Sequence, residues 1–257
     1  MHVLWIKLFY VAAIFAAGLL GGRAASASAG ITGRAKSMAI GEAFSGGIFL
    51  GAGLLHLLPD SIENFSKFAG DVDFPLGALV MGVGFLLILL FDHAAKGHVD
   101  RDVPSSANPP GHPFLLFMVL SIHSIIAGAS LGLEGAGAAS IAIFLAIMAH
   151  KSSAGFALGV SLVNSGVDEV RRRRTIWMFA VMTPLGVGLG TFLASAFSGT
   201  TDIIFEAWFD ALAAGTFVYI TTFDILPKAM KADKNHWLQW SMATVGFGLM
   251  AMIAIWT

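Results

Sequence analysis

Eight stretches of about twenty largely apolar residues, joined by short connections, constrain this chain more than any other feature of it. A helix needs about 20 such residues to cross a hydrocarbon core of roughly 30 Å, because each residue adds only about 1.5 Å of rise. The stretches read as 3–22, 39–61, 74–95, 113–133, 138–163, 175–197, 204–228 and 238–256. Inside lipid every backbone N–H and C=O must find a partner within the protein, so each stretch is expected to be an α-helix. The fold class that follows is an all-α integral membrane protein with eight transmembrane helices in a single domain, 1–257. Charged residues make up 12% of the chain and apolar residues 56%. That is about half the charged share of a soluble domain, which leaves too few charges to coat one.

Composition removes several kinds of chemistry. A formal net charge of −1 offers no basic face for nucleic acid. The absence of cysteine excludes disulfide frameworks, thiolate catalysis and cysteine-ligated metal, so any bound metal needs His, carboxylate, amide, hydroxyl or thioether donors. The 30 glycines fall mostly inside the apolar stretches, where small residues let transmembrane helices approach closely. The longest connection, 96–112, carries the Pro, Ser, Gly and charge of a loop.

Lysine and arginine orient the spans. One set of alternate connections holds Arg23, Arg34 and Lys36, then Lys96 and Arg101, then Arg171 to Arg174, then Lys228, Lys231 and Lys234. The other set holds only Lys67. Positive residues gather on the cytoplasmic side, so both termini are expected outside, with the plasma or inner membrane as the host. A cleaved leader is the competing reading of span one, because Ala-Ser-Ala-Ser-Ala follows it. Its long apolar stretch and the arginines beyond it favour a retained helix.

Two internal echoes connect topology to function. An offset of 168 lays span two over span seven and pairs Glu42 with Asp210, Gly47 with Gly215, Phe49 with Phe217, His56 with Asp224, and Pro59 with Pro227. Because five crossings separate the paired helices, spans one to three and six to eight are expected to form an inverted repeat, as in many transporters. Spans four and five echo one another from His123 and His150, agreeing at the His, Ala, Gly, Leu and Gly positions that follow.

His123 and His150 each fall about half-way along a span, where a polar group is costly and points to a bundle interior or watery cavity. A neutral imidazole is a common ligand for zinc and similar metals. Hydrogen bonding between helices is the bland role for either residue alone. Ser124, Ser152, Ser153 and water are candidate helpers. His56, Asp60, Glu63 and Asp210 lie toward the outer ends of spans two and seven, and Glu134 lies eleven residues beyond His123, close to three helical turns. Together they describe an entrance. Glu42 and Asp224 fall at the inner ends and describe an exit. Carboxylates that simply meet water at the interface are the alternative for each. Pro59 and Pro227 either terminate their helices or free carbonyls beside a cavity, with termination favoured at Pro227. Asp92, His93, His98 and Asp100 read as a solvated cytoplasmic stretch with weak metal-collecting character.

The chain resembles the ZIP family of divalent metal transporters over nearly its whole length. The resemblance rests on His56-Leu-Leu-Pro-Asp60, His123-Ser124 with Gly128, His150 with Gly155-Phe-Ala-Leu-Gly159, Thr183-Pro-Leu-Gly186, and Gly215-Thr-Phe-Val-Tyr219 with Ile225-Leu-Pro227. It implies a 3+2+3 arrangement of helices, a metal site between spans four and five, and uptake into the cytoplasm. Its partners would be a divalent metal ion, zinc foremost, and the lipid bilayer, with a homodimer left open and no prosthetic group. The family's usual acidic residues four positions beyond each central His are replaced here by Ala127 and Ala154. The position after the second His, often a ligand for a second metal, is Lys151, whose ammonium is expected to stand in for that cation. The expected site therefore holds one metal, more weakly than in typical relatives. A non-transporting sensor or scaffold and an intramembrane zinc hydrolase are the competing functions.

Overall fold

The computed structural model describes residues 2–28, 34–69, 74–97, 112–135, 137–193, 200–232 and 236–255. Eight helical rods account for them, and no strand occurs among the described residues. Span one is His2–Ser28, span three Leu76–Gly97, span four His112–Leu133, span five Ala138–Asn164, span six Glu169–Leu193 and span eight His236–Ile253. Spans two and seven are each built of three pieces: Arg34–Gly51, Ala52–Leu57 and Leu58–Ala69, and Thr200–Tyr219, Ile220–Ile225 and Leu226–Ala232. Seven of the eight are long and apolar enough to cross a membrane. The eighth opens on His236, Gln239 and Ser241 and becomes continuously apolar only further along. Leu86, Leu90, Phe91, Phe114 and Phe192 lie exposed on the outside of the bundle, as a lipid-facing coat requires.

The middle piece of spans two and seven is a π-turn, and the two turns are related by the same 168-residue offset. Leu58 donates its N–H to the Gly53 carbonyl and Leu226 donates to the Thr221 carbonyl, each five residues back. The physical cause sits just downstream. Pro59 and Pro227 lack an N–H and crowd the preceding turn, and widening that turn absorbs the misfit without stopping the helix. Termination at Pro227 is therefore corrected, since the helix runs on to Ala232 and its counterpart beyond Pro59 runs on to Ala69.

Helix packing obeys the repeat. Span one packs on five as six packs on four, and span two on eight as seven on three; the contacts of one with six and two with seven are self-paired. Close approaches repeat in register. A Cβ at Gly47 would overlap the Ala243 carbonyl and one at Gly215 the Met81 carbonyl, 168 residues on. A Cβ at Gly128 would overlap the Thr183 carbonyl and one at Gly155 the Gly18 carbonyl, 27 residues on. In space the 3+2+3 chain order becomes two groups of four, spans one, four, five and six against spans two, three, seven and eight. The seam between them passes chiefly through spans two and five.

Candidate metal site and vestibule

His123 and His150 meet inside this bundle. Both are buried, their Nε2 atoms stand 3.4 Å apart, and the rings are tilted by 54°. Two imidazole nitrogens bound at about 2.05 Å to one tetrahedral ion stand roughly 3.3 Å apart, a separation that this spacing matches. As a direct hydrogen bond the same spacing is long. The helices are held there by the glycines five residues beyond each His, Gly128 against span six and Gly155 against span one. Phe217 sets its edge against the His123 ring at 4.6 Å between centroids, and Phe49, its repeat partner, packs on Phe217 at 5.0 Å.

A cavity of about 290 Å³ leads to the two imidazoles. His123, His150 and Ala127 line one part of it, and His56, Asp60, Glu63 and Asp210 another. His56 Nδ1 lies 3.0 Å from Asp60 Oδ2, and Lys67 pairs with Glu63 at 2.8 Å. Glu206, absent from the expected set, joins this lining. It lies one turn before Asp210, so the i, i+4 spacing of two carboxylates was the signal available in the sequence. Span four ends at Leu133, and Glu134 just beyond it still donates its N–H to the Ser130 carbonyl at 3.3 Å. Glu134 is not among the lining residues; it lies near Lys7, whose ammonium donates to the Gly132 carbonyl at 2.6 Å.

Lys151, almost completely buried, donates to Ser124 Oγ at 2.9 Å and to the Phe179 carbonyl at 3.3 Å. Its ammonium also stands 3.7 Å above the Phe179 ring. Ser124 thus spends an acceptor site on the lysine beside the histidines. Ser153 is buried one turn beyond His150, and Ala154 packs into the apolar core, whereas Ala127 faces the vestibule. Among the described residues no three His or carboxylate side chains are grouped closely enough to hold a metal ion.

At the other end, Glu42 and Asp224 are buried and Lys228 pairs with Asp224. The 168 offset maps His56 onto Asp224 and Asp60 onto Lys228, so each π-turn holds the first member of an i, i+4 polar pair, with acid and base in reversed order. Asp92 departs from the solvated reading. It is buried and accepts a hydrogen bond from Tyr219 Oη at 2.8 Å, because span three continues to Gly97 and carries it against span seven. His93 is exposed, while His98 and Asp100 lie outside the described residues.

Known proteins resemble the chain over most of its length. A family model described as "ZIP Zinc transporter" matches residues 4–114 and 112–254. Zinc transporter ZIP2 of Mus musculus is 30% identical, with 82% of this chain and 83% of that protein covered. Zinc transporter ZIP1 of Danio rerio is 31% identical over 82% of each chain. Zinc transporter ZIP2 of Homo sapiens is 28% identical over 82% of this chain and 83% of its own.

Proposed function

The chain belongs to the ZIP zinc transporter family, and we propose that it carries a divalent cation, zinc foremost, into the cytoplasm through one central site formed by His123 and His150. The observation that carries this reading is the 3.4 Å spacing of the two Nε2 atoms at the floor of an acidic vestibule. Asp60, Glu206 and Asp210 concentrate cations at the mouth, where low-dielectric walls focus their field. The ion then exchanges water for imidazole. Two neutral ligands hold it less firmly than a site with added carboxylates, which favours release over retention. Lys151 places its side-chain nitrogen beside the pair, supporting occupancy by a single ion. Glu42 and Asp224, related by the repeat to Asp210 and His56, receive the ion on the cytoplasmic side, and both termini lie outside.

An intramembrane hydrolase would hold its metal with three protein ligands and leave a fourth position open. Among the described residues no three His or carboxylate side chains are grouped closely enough to hold a metal ion, His56 lining the same cavity without completing such a group, which favours a carrier. Zinc uptake into proteoliposomes is the test. The wild-type chain takes up zinc, and His123→Ala and His150→Ala each reduce uptake at least about tenfold, the scale of losing one buried ligand. Unchanged uptake in both variants overturns the central site. Zinc-dependent changes without flux in the wild type support a sensor instead.

A further inference from the structure

Between spans one and six, at the end where Arg23 and Arg171 to Arg174 gather, lies a groove of about 550 Å³ that the central pathway does not use. Its walls change character along their length. On span one, Leu19 gives way to Arg23 four residues on; on span six, Ile176 and Trp177 give way to Arg173 and Arg174 toward the helix start. The step is about 6 Å along the axis of span one and about 4.5 Å along that of span six, so apolar side chains form the deep half and guanidinium groups the rim. Trp177 is exposed on one side and leans on Phe15 of span one. Indole rings favour the headgroup level. The groove therefore sits where a hydrocarbon core meets water.

The arginines divide into two sets. Arg172 is committed, since it pairs with Glu169 and donates to Ser26 Oγ at 3.0 Å, which offsets the one acidic residue in the lining. Arg171 turns to Asp168. Arg23, Arg173 and Arg174 make no ion pair among the described residues and converge on the groove. The inverted repeat does not demand them. The 168 offset takes Arg23 to Thr191, Arg173 to Trp5, Arg174 to Ile6 and Trp177 to Phe9, so the opposite end of the same helix pair carries no arginine at these positions. Loop positive charge alone sets topology but has no need of an apolar floor.

We propose that this groove binds an anionic glycerophospholipid of the adjoining leaflet, its phosphate held by Arg23, Arg173 and Arg174 and its glycerol and upper acyl chain lying against Leu19, Ile176 and Trp177. Guanidinium groups take phosphate oxygens in pairs and are less strongly hydrated than ammonium. Basic pockets between transmembrane helices on the cytoplasmic side suit such headgroups. The site is independent of what the central histidines carry, and it would tie span one to span six, the self-paired contact of one four-helix group.

The test uses the full chain in nanodiscs of phosphatidylcholine doped with phosphatidylglycerol, with retained lipid counted by native mass spectrometry after release. The wild type retains phosphatidylglycerol about tenfold over phosphatidylcholine, a preference set by a few near-surface charges. Arg23→Gln/Arg173→Gln/Arg174→Gln abolishes the preference while Arg171→Gln keeps it. Should the triple variant fail to fold, salt on the wild type decides, because a headgroup bond must weaken as the Debye length falls from about 10 Å at 0.1 M to about 3 Å at 1 M. No preference in the wild type, a preference that survives the triple substitution, or one indifferent to salt overturns the proposal. Displacement of the lipid by millimolar inorganic phosphate also overturns it, since the groove would then take a bare anion and not an amphiphile.

Discussion

Ala127→Glu tests the site by restoring an anionic ligand. Ala127 is one turn beyond His123 on span four and lines the vestibule with both histidines, so a longer side chain at this position points at the ion. The cavity of about 290 Å³ has room for the four added heavy atoms. Unit charges about 4 Å apart at an effective dielectric constant near 20 attract by about 4 kcal/mol, and a divalent ion doubles that. Dehydrating the new carboxylate among Asp60, Glu206 and Asp210 offsets most of the gain. A net of about 2–3 kcal/mol remains, which is about 30- to 150-fold in Kd. Calorimetry on purified protein should therefore show tighter zinc binding, and proteoliposome uptake should show a lower KM. Turnover should fall with it, because affinity gained at a fixed association rate appears as slower release. A well-folded variant with unchanged or weaker binding would refute the placement of the ion between the two imidazoles on the Ala127 side.

Lys151→Met removes the ammonium at similar size, and zinc affinity should rise about tenfold as a buried like charge is lost, with one ion still bound per chain; unaltered affinity in a titration would show that the ammonium does not bear on the ion. Gly215→Ala drives a Cβ into the Met81 carbonyl and should cost about 1–3 kcal/mol, seen as a lowered melting temperature in detergent. Gly82→Ala meets open space and should be neutral or stabilising by up to about 1 kcal/mol. A chain without cysteine gives a clean background for labelling. Lys67→Cys should react with a membrane-impermeant thiol reagent from outside intact cells and Arg173→Cys only after permeabilisation; the reverse pattern would invert the topology.

Much of the site was legible in the sequence, because the signal was repetition. His123 and His150 occupy matching frames of two adjacent spans, and a two-fold relation brings matching positions together near its axis. The π-turns were half legible: Pro59 and Pro227 marked the places, but whether a helix stops or widens depends on what continues beyond. Glu134 stands one residue past the end of span four and outside the vestibule lining, which helical spacing alone does not reveal. Asp92 was not legible, because a residue at a span boundary looks solvated in the sequence and only the packing of Tyr219 against it shows otherwise. Glu206 carried a signal in its i, i+4 spacing to Asp210, but only the cavity shows both carboxylates on one wall.

Apolar length, the one-sided distribution of lysine and arginine, and the 168-residue register follow from the order of residues alone, since lipid imposes helix on each span and charge orients the set. Which helices touch is a different matter. The pairing of one with five and four with six, the 3.4 Å between two ring nitrogens, and the seat of Lys151 over Phe179 come from side chains far apart in the chain packing at atomic distance. Periodicity is local and survives in one dimension; close approach between helices is set by small residues on both partners at once, and only the folded bundle brings the two together.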